Sequence, residues 1–183
     1  MLAYDLRTLV STAATVDGVL ASDDPIWQPQ DRRPEDGVRV TGRLSAASPG
    51  WFYLSGQIAG VLRDDCRRCL TPVETVITER VQCLFVESGT DDADDDPDVY
   101  LYDPRARELD IRSAVREQWL VSAPEFAQCR EECAGLCPTC GTDLNAGPCG
   151  CAARVDDRWA ALRSVGAPGG TLGGAPGDTP DTT

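Results

Sequence analysis

Cysteine is the residue type that gives this sequence its chemistry. The chain has nine cysteines and no histidine. A transition-metal site here must therefore be built from thiolates, and catalytic triads that depend on histidine are excluded. Eight of the nine follow the spacings Cys-x2-Cys and Cys-x3-Cys-x3-Cys-x2-Cys-x8-Cys-x-Cys, and they are Cys66, Cys69, Cys129, Cys133, Cys137, Cys140, Cys149 and Cys151. Such spacing indicates metal ligands rather than inert core thiols.

The most specific signal is the sequence CPTCG over residues 137–141. Two cysteines separated by two residues can turn both sulfurs toward one ion, and the glycine permits the tight turn beneath the metal. Cys137, Cys140, Cys149 and Cys151 together supply the four thiolates of a structural zinc site. The remaining four, Cys66, Cys69, Cys129 and Cys133, can converge on a second site. We therefore expect one or two Zn²⁺ ions.

Three other uses of the same thiols remain open. They are inert structural thiols, an iron–sulfur cluster, and a redox pair. Cys66 and Cys69 enclose two arginines that would lower a thiol pKa, which suits a cytosolic thiol–disulfide oxidoreductase. However, that motif normally opens a helix, whereas Thr71 to Val73 lead into a predicted strand. Cys83 lies alone inside a predicted strand, and we expect it to be a small core residue.

The N-terminal sequence and the length of the apolar runs predict the cellular compartment, and with it the redox state of the cysteines. The first seven residues lack the basic start and continuous apolar stretch of a secretory signal. No apolar run approaches the roughly 18 residues that would span a bilayer. We therefore expect a cytoplasmic protein, with no membrane partner, whose cysteines are kept reduced and available to a metal.

Strands with period-two alternation must position the first cysteine pair. Residues 38–44, 51–62 and 73–86 alternate apolar and polar side chains, and they are separated by Ser-Pro-Gly and Cys-Arg-Arg-Cys. This pattern predicts an antiparallel meander. The predicted fold class is α+β, with an antiparallel β-meander or barrel-like sheet, one main amphipathic helix and a C-terminal Cys-rich zinc module.

The main helix is predicted over residues 110–120. Ile111, Val115, Trp119 and Leu120 lie on one helical stripe, Asp110 is the expected N-cap, and Pro124 follows the end. We expect the stripe to pack on the sheet. Residues 22–37 and the acidic residues 89–98 are predicted loops, and a second short helix is predicted over 154–165. The domain prediction is a single domain over residues 1–165, with its Cys-rich module at about 129–151, followed by a disordered tail over 166–183.

Charge limits the choice of partners. Thirty acidic and seventeen basic residues give a net charge of −13, which repels nucleic-acid phosphates at long range and attracts basic partners. A local cluster of Arg63, Arg67 and Arg68 can still contact a phosphate backbone. No nucleophile, paired carboxylate or phosphate loop accompanies Glu117 on the helix, so we expect neither an enzyme nor a small-molecule substrate.

Three ordered motifs resemble a known family. The first is CRRCLTPV over residues 66–73, and the third is CAGLCPTCGTDLN over 133–145. The second is LDI over 109–111, followed by Arg116 and Glu117 and ending with the dipeptide Ala123-Pro124. In order and spacing they are similar to the YceD family over roughly residues 38–163, and residues 135–145 are the most specific part. One departure is that residues 156–159 read DDRW, without the proline typical of the family's motif there.

The resemblance implies a bacterial factor of ribosome biogenesis that supports synthesis, processing or stability of large-subunit ribosomal RNA. Its expected partner is that RNA, or a basic large-subunit ribosomal protein held by the acidic surface before assembly. Arg63, Arg67 and Arg68 are the expected contact residues. The oxidoreductase using Cys66 and Cys69 is the alternative.

Overall fold

The computed structural model describes residues 2–89, 99–152 and 158. The chain divides into two compact units, residues 1–135 and 136–183. The helices and longer strands lie in the first unit, and in chain order they are β1 (Ala3–Asp5), α1 (Leu6–Ser11), β2 (Ala14–Leu20), β3 (Val38–Ser48), β4 (Trp51–Asp65), β5 (Pro72–Glu87), β6 (Val99–Tyr102), β7 (Glu108–Asp110) and α2 (Arg112–Ser122). The predicted acidic loop beyond Gly89, second helix and disordered tail fall outside the described residues, apart from Arg158. The single domain over 1–165 stays a prediction.

The main sheet has the strand order β2-β3-β4-β5-β6, and β1 pairs with β7 in a separate two-stranded sheet. Strands β3 to β5 pair antiparallel with their chain neighbours, as the alternation predicts. Strand β2, which was not predicted, pairs antiparallel with β3. The last pair differs, because β6 runs parallel to β5. A parallel pair requires the connection between its two strands to return to the same end of the sheet. No pairing joins β2 to β6 in the described part of the chain, so barrel-like closure stays a prediction.

One face of this sheet carries the core. Alternate residues of β3 to β5 are buried there, among them Val40, Leu54, Ile58 and Val81. Trp119 of α2 is fully buried in the same core, and a Cβ added to Gly60 of β4 would lie 2.8 Å from its ring. The glycine therefore makes room for the indole, and the predicted helical stripe is confirmed as a packing surface.

The start of α2 differs from the prediction. Ile111, not Asp110, occupies the N-cap position and makes no side-chain cap bond. Asp110 is the last residue of β7, and its Oδ1 accepts a hydrogen bond from the Arg112 N–H at 3.0 Å. The carboxylate thus still satisfies one of the unpaired N–H groups at the helix start, but from outside the cap position.

The long connection between β2 and β3, residues 21–37, is irregular as predicted but is bonded to α2. We call it the strap. Arg116 donates through Nε and Nη2 to both oxygens of Asp31, at 2.6 and 2.7 Å. Trp119 donates from Nε1 to the Arg32 carbonyl at 2.8 Å, and Trp27 is buried. The strap is therefore part of the packed structure rather than a solvated loop.

None of the helices in the described ranges is long and apolar enough to cross a membrane.

Two candidate metal centres

The first centre joins a β-turn to a segment far along the chain. Cys66 and Cys69 flank the turn between β4 and β5, and Cys129 and Cys133 follow α2. The sulfurs of Cys66 and Cys133 are 3.9 Å apart, those of Cys69 and Cys129 are 3.6 Å apart, and all four lie within 4.8 Å of one another. A tetrahedral zinc with Zn–S bonds of about 2.3 Å places its sulfurs about 3.8 Å apart. The sulfur–sulfur distances in this first quartet therefore match those expected around a single four-coordinate ion.

The second centre lies within the second unit. Its four sulfurs also lie within 4.8 Å of one another, and they belong to Cys137, Cys140, Cys149 and Cys151. Cys137 is buried and Cys140 is exposed. The structure thus brings together the same two sets of four cysteines that the spacing predicts, and we call this set the second quartet.

Both quartets begin with the same six-residue knuckle, residues 66–71 and 137–142. In the first knuckle the Cys66 N–H donates to the Thr71 carbonyl at 2.8 Å, and the Leu70 N–H donates to the Cys66 carbonyl at 2.9 Å. The second repeats these bonds at 2.8 and 2.9 Å, from Cys137 to Thr142 and from Gly141 to Cys137. The same turn backbone therefore occurs twice in this chain, once in each candidate metal centre.

The fifth residue of each knuckle has a left-handed backbone. Gly141 has φ of 73°, and Leu70 has φ of 58°. Glycine adopts this conformation freely, whereas a residue with a Cβ does so at a cost of about 1 kcal/mol or more. The Leu70 side chain is 60% exposed, so its burial offsets little of that cost. The glycine beneath the second knuckle fits the prediction, and the leucine beneath the first is strained.

Backbone N–H groups favour the thiolate form of the first cysteine in each knuckle. The N–H groups of Cys129, Arg68 and Cys69 lower the pKa of the Cys66 thiol to about 6. Those of Cys140 and Thr139 lower the pKa of Cys137. The residues two and three positions after each first cysteine thus play the same role in both knuckles, as metal-binding thiolates require.

A threonine hydroxyl supports the second cysteine of each knuckle. Thr71 Oγ1 lies 3.3 Å from Cys69 Sγ and lowers the pKa of that thiol. Thr142 Oγ1 lies 3.2 Å from Cys140 Sγ, and it lowers that pKa to about 6. Neither threonine was among the site residues predicted from the sequence. The signal that finds them is the repeated pattern Cys-x-x-Cys-x-Thr.

Crowding acts in the opposite direction on the pKa of Cys129. Desolvation, followed by the neighbouring sulfurs of Cys133 and Cys69, raises the pKa of Cys129 to about 12. Four thiols this close cannot all ionise unless a cation lies between them. The donor set is therefore suited to a divalent, thiophilic ion, and zinc fits it in ligand type, number and spacing.

The alternatives fit the geometry less well. A multinuclear iron–sulfur cluster attaches its cysteines through separate iron atoms, which spreads the sulfurs further apart than one ion does. All nine cysteines lie in the described residues, and none is in a disulfide. Cys66 and Cys69 form half of a quartet in a strand-to-strand turn, so the oxidoreductase alternative is not favoured. Cys83 is buried in the core as predicted, and its burial raises its pKa to about 11.

The three predicted contact arginines have different surroundings. Arg63 forms ion pairs with Glu35, at 2.6 Å, and with Glu74. The Arg67 guanidinium lies 5.4 Å from the ring centroid of Phe126 and donates to the Gln128 side chain. Arg68 is exposed and lies between Cys66 and Cys69 in the chain. They therefore do not form one uncompensated basic cluster, because the charge of Arg63 is already balanced by two carboxylates.

Comparison with known proteins gives one family and a group of mycobacterial relatives. The family described as "Large ribosomal RNA subunit accumulation protein YceD" matches residues 54–165, which is more than half of the chain. Uncharacterized proteins of Mycobacterium bovis and Mycobacterium tuberculosis are 29% identical over 165 residues, covering 87% of this chain and 72% of theirs. One of Mycobacterium leprae is 28% identical over 118 residues, covering 63% of this chain and 53% of its own. No solved structure matches the chain.

Proposed function

This chain belongs to the YceD family, and from that premise we propose that it supports accumulation of large-subunit ribosomal RNA as a zinc-stabilised factor without catalytic activity. The observation that carries the proposal is the extent of the family match. Residues 54–165 contain all eight cysteines of the two quartets. The metal centres are thus within the part of the chain that the family shares. Bacterial ribosomes are assembled in the cytoplasm, where we place the protein.

A structural role for both metal centres supports a function other than catalysis. Four thiolates fill the coordination of a tetrahedral zinc ion and leave no position for a water molecule or a substrate. Zinc bound by the first quartet would hold the β4–β5 turn against the segment that follows α2. Its positive charge would stabilise four thiolates that otherwise repel one another. The ion would act as a cross-link within the first unit.

The partner proposed for this function is large-subunit ribosomal RNA or a basic protein of the same subunit. The net charge of −13 favours the basic protein for most of the surface. Arg67 and Arg68 lie between the first two cysteines, without an ion pair to a carboxylate in the described residues. They therefore remain proposed contact residues. Arg63 is the weakest of the three, because Glu35 and Glu74 compete with any phosphate for its guanidinium.

Depletion of the protein from cells tests the proposed function. We expect the ratio of large- to small-subunit ribosomal RNA to fall, and wild-type protein supplied in trans to restore it. Cys66→Ser and Cys137→Ser should fail to restore the ratio, because each removes a proposed zinc ligand. Cys83→Ala is the matched control, since Cys83 belongs to neither quartet. An unchanged ratio after depletion would contradict the proposal.

A further inference from the structure

Part of the solvent face of the main sheet has a different charge from this acidic chain as a whole. Strand register places three cross-strand rows of side chains opposite the core, and these rows are Thr15-Arg43-Ser55-Gln82, Asp17-Thr41-Gln57-Arg80 and Val19-Arg39-Ala59-Thr78. We call these rows the polar face. They carry three arginines and one carboxylate, Asp17, which accepts a hydrogen bond from Arg39 at 2.9 Å. The polar face is therefore locally positive.

Two of these arginines are available to an anion. Arg43 and Arg80 form no ion pair with a carboxylate in the part of the chain that the structure describes, and both are exposed. Two strand spacings and two residues separate them, which is about 12 Å. Each guanidinium would therefore reach a different phosphate of a bound chain.

A shallow cleft of about 470 Å³ lies on this sheet, and its lining contains no carboxylate; the residues are Thr41, Gly42, Ser55, Gly56, Gln57, Arg80, Val81 and Gln82. Gly42 and Gly56 pair directly across the strands. A Cβ on either would lie 2.5 Å or less from the carbonyl oxygen of the facing strand. The glycines therefore permit a close approach of the β3 and β4 backbones at this point.

The chemistry of the cleft matches a sugar–phosphate chain. Arg80 can donate two parallel hydrogen bonds to a phosphate, which a guanidinium does better than an ammonium. The hydroxyls of Thr41 and Ser55 and the amides of Gln57 and Gln82 can each donate and accept. A ribose 2′-hydroxyl also donates and accepts, and it distinguishes RNA from DNA.

We infer that the polar face binds the sugar–phosphate backbone of RNA, with Arg43 and Arg80 on phosphates and the cleft's hydroxyl and amide groups on ribose. The inference rests on the proposed function and assigns its RNA contact to this face of the sheet. A basic ribosomal protein is disfavoured here, because Arg43 and Arg80 would repel it. Such a protein would meet the acidic remainder of the surface instead.

Fluorescence anisotropy with the full-length, zinc-loaded protein tests the inference. The probes are a labelled single-stranded RNA of about 20 nucleotides and DNA of the same sequence. We expect tighter binding to RNA than to DNA. Arg43→Glu/Arg80→Glu should weaken RNA binding at least tenfold. It should also reduce the slope of log K against log salt concentration by about 1.4, which corresponds to two lost phosphate contacts on a single strand.

Arg105→Glu/Arg107→Glu is the matched control, because it changes net charge by the same amount at two exposed arginines between β6 and β7. We expect it to weaken binding less than about threefold. An equal loss in both double variants would mean that bulk charge alone is responsible, and would overturn the inference. Unchanged binding by Arg43→Glu/Arg80→Glu, or no RNA binding by wild type, would also overturn it. Zinc content and melting temperature verify folding, and Arg43→Gln/Arg80→Gln serves if the glutamate variant does not fold.

Cellular complementation separates this inference from the proposed function. If depletion lowers the ribosomal RNA ratio and Arg43→Glu/Arg80→Glu restores it fully, the function stands and the RNA face is wrong. If depletion leaves the ratio unchanged, the function is wrong, whereas the anisotropy experiment still decides whether the face binds RNA.

Discussion

Leu70 and Gly141 occupy the same position in two matching knuckles, with φ of 58° and 73°. The shared hydrogen bonds fix the backbone in the left-handed region at both places. Only one of the two residues adopts that conformation without a steric cost. The pair therefore allows the cost to be measured in both directions within one protein.

Leu70→Gly should stabilise the zinc-loaded protein by about 1 kcal/mol. Relief of about 1–2 kcal/mol of backbone strain is partly offset by the greater freedom of glycine in the unfolded chain. Denaturant unfolding measures the change. The reverse test is Gly141→Ala, which should weaken zinc retention at the second quartet against a competing chelator. No heavy atom lies within 4 Å of a Cβ at that position, so backbone strain alone would act. A destabilised Leu70→Gly would contradict the strain argument.

Single cysteine substitutions should remove one zinc ion each. We expect two ions in wild type, one in Cys66→Ser and one in Cys137→Ser, whereas Cys83→Ala keeps both; a colorimetric zinc assay after denaturation gives the count. Cys66→Ser should also speed tryptic cleavage after Arg130, because the segment containing Cys129 and Cys133 loses its attachment to the β4–β5 turn. One ion in wild type, with the four thiols of the first quartet open to alkylation, would disprove the metal site at Cys66, Cys69, Cys129 and Cys133.

Thiol alkylation distinguishes metal ligands from a redox pair. In the native zinc-loaded protein, iodoacetamide should modify none of the eight quartet cysteines rapidly, because each sulfur is held by metal. After removal of zinc by a chelator, all eight should react. Cys83 should react only in denaturant, because it is buried. Rapid modification of Cys66 or Cys69 before chelation would instead support the oxidoreductase.

Asp31→Asn should destabilise the fold at pH 7. Hydrogen bonds from Arg116 lower the pKa of the Asp31 carboxyl below its usual value. A lowered pKa means that the carboxylate stabilises the folded state above the unfolded pKa of about 4, and that this contribution is lost as pH falls through the folded pKa. We expect a loss of about 1–3 kcal/mol at pH 7. Wild type and variant should converge once the pH falls below the lowered pKa of that carboxyl in the folded protein. Zinc released at low pH destabilises wild type and variant alike, so the difference between their free energies of unfolding removes that effect.

Asp17→Asn is the control for that measurement. Asp17 also pairs with an arginine, Arg39, but both side chains are 61% exposed, whereas the Asp31 side chain is 4% exposed. Exposed pairs contribute little because water and salt screen them. We expect a change below about 0.5 kcal/mol at any pH. An equal effect of the two substitutions would show that burial does not strengthen the Asp31–Arg116 pair.

Local periodicity was enough to predict the central strands and the packing face of α2. The side chains of β3 to β5 alternate because one face of the sheet is buried, and Val115 and Trp119 share a helical stripe for the same reason. The division of the cysteines into two sets of four also agrees with the structure, because knuckle spacing and ligand number leave few combinations.

Long-range relationships were not predictable in the same way. The parallel pairing of β6 with β5 and the bonds from the strap to α2 join segments whose own sequences contain no sign of their partners. Arg63 shows the same limit. Its immediate sequence neighbours suggest a basic cluster, but Glu35 and Glu74, brought close to it by the fold, balance its charge. Such contacts are consequences of the tertiary fold.

The order in which a ribosome makes the chain gives the first quartet a particular place in folding. Cys69 and Cys129 are separated by 60 residues, and β5 and α2 are synthesised between them. Strands β2 to β5 are therefore complete before the second half of this quartet has been made. If the first quartet binds an ion, all four thiolates become available to it only after the sheet and α2 have been synthesised, and metal capture would then be a late step.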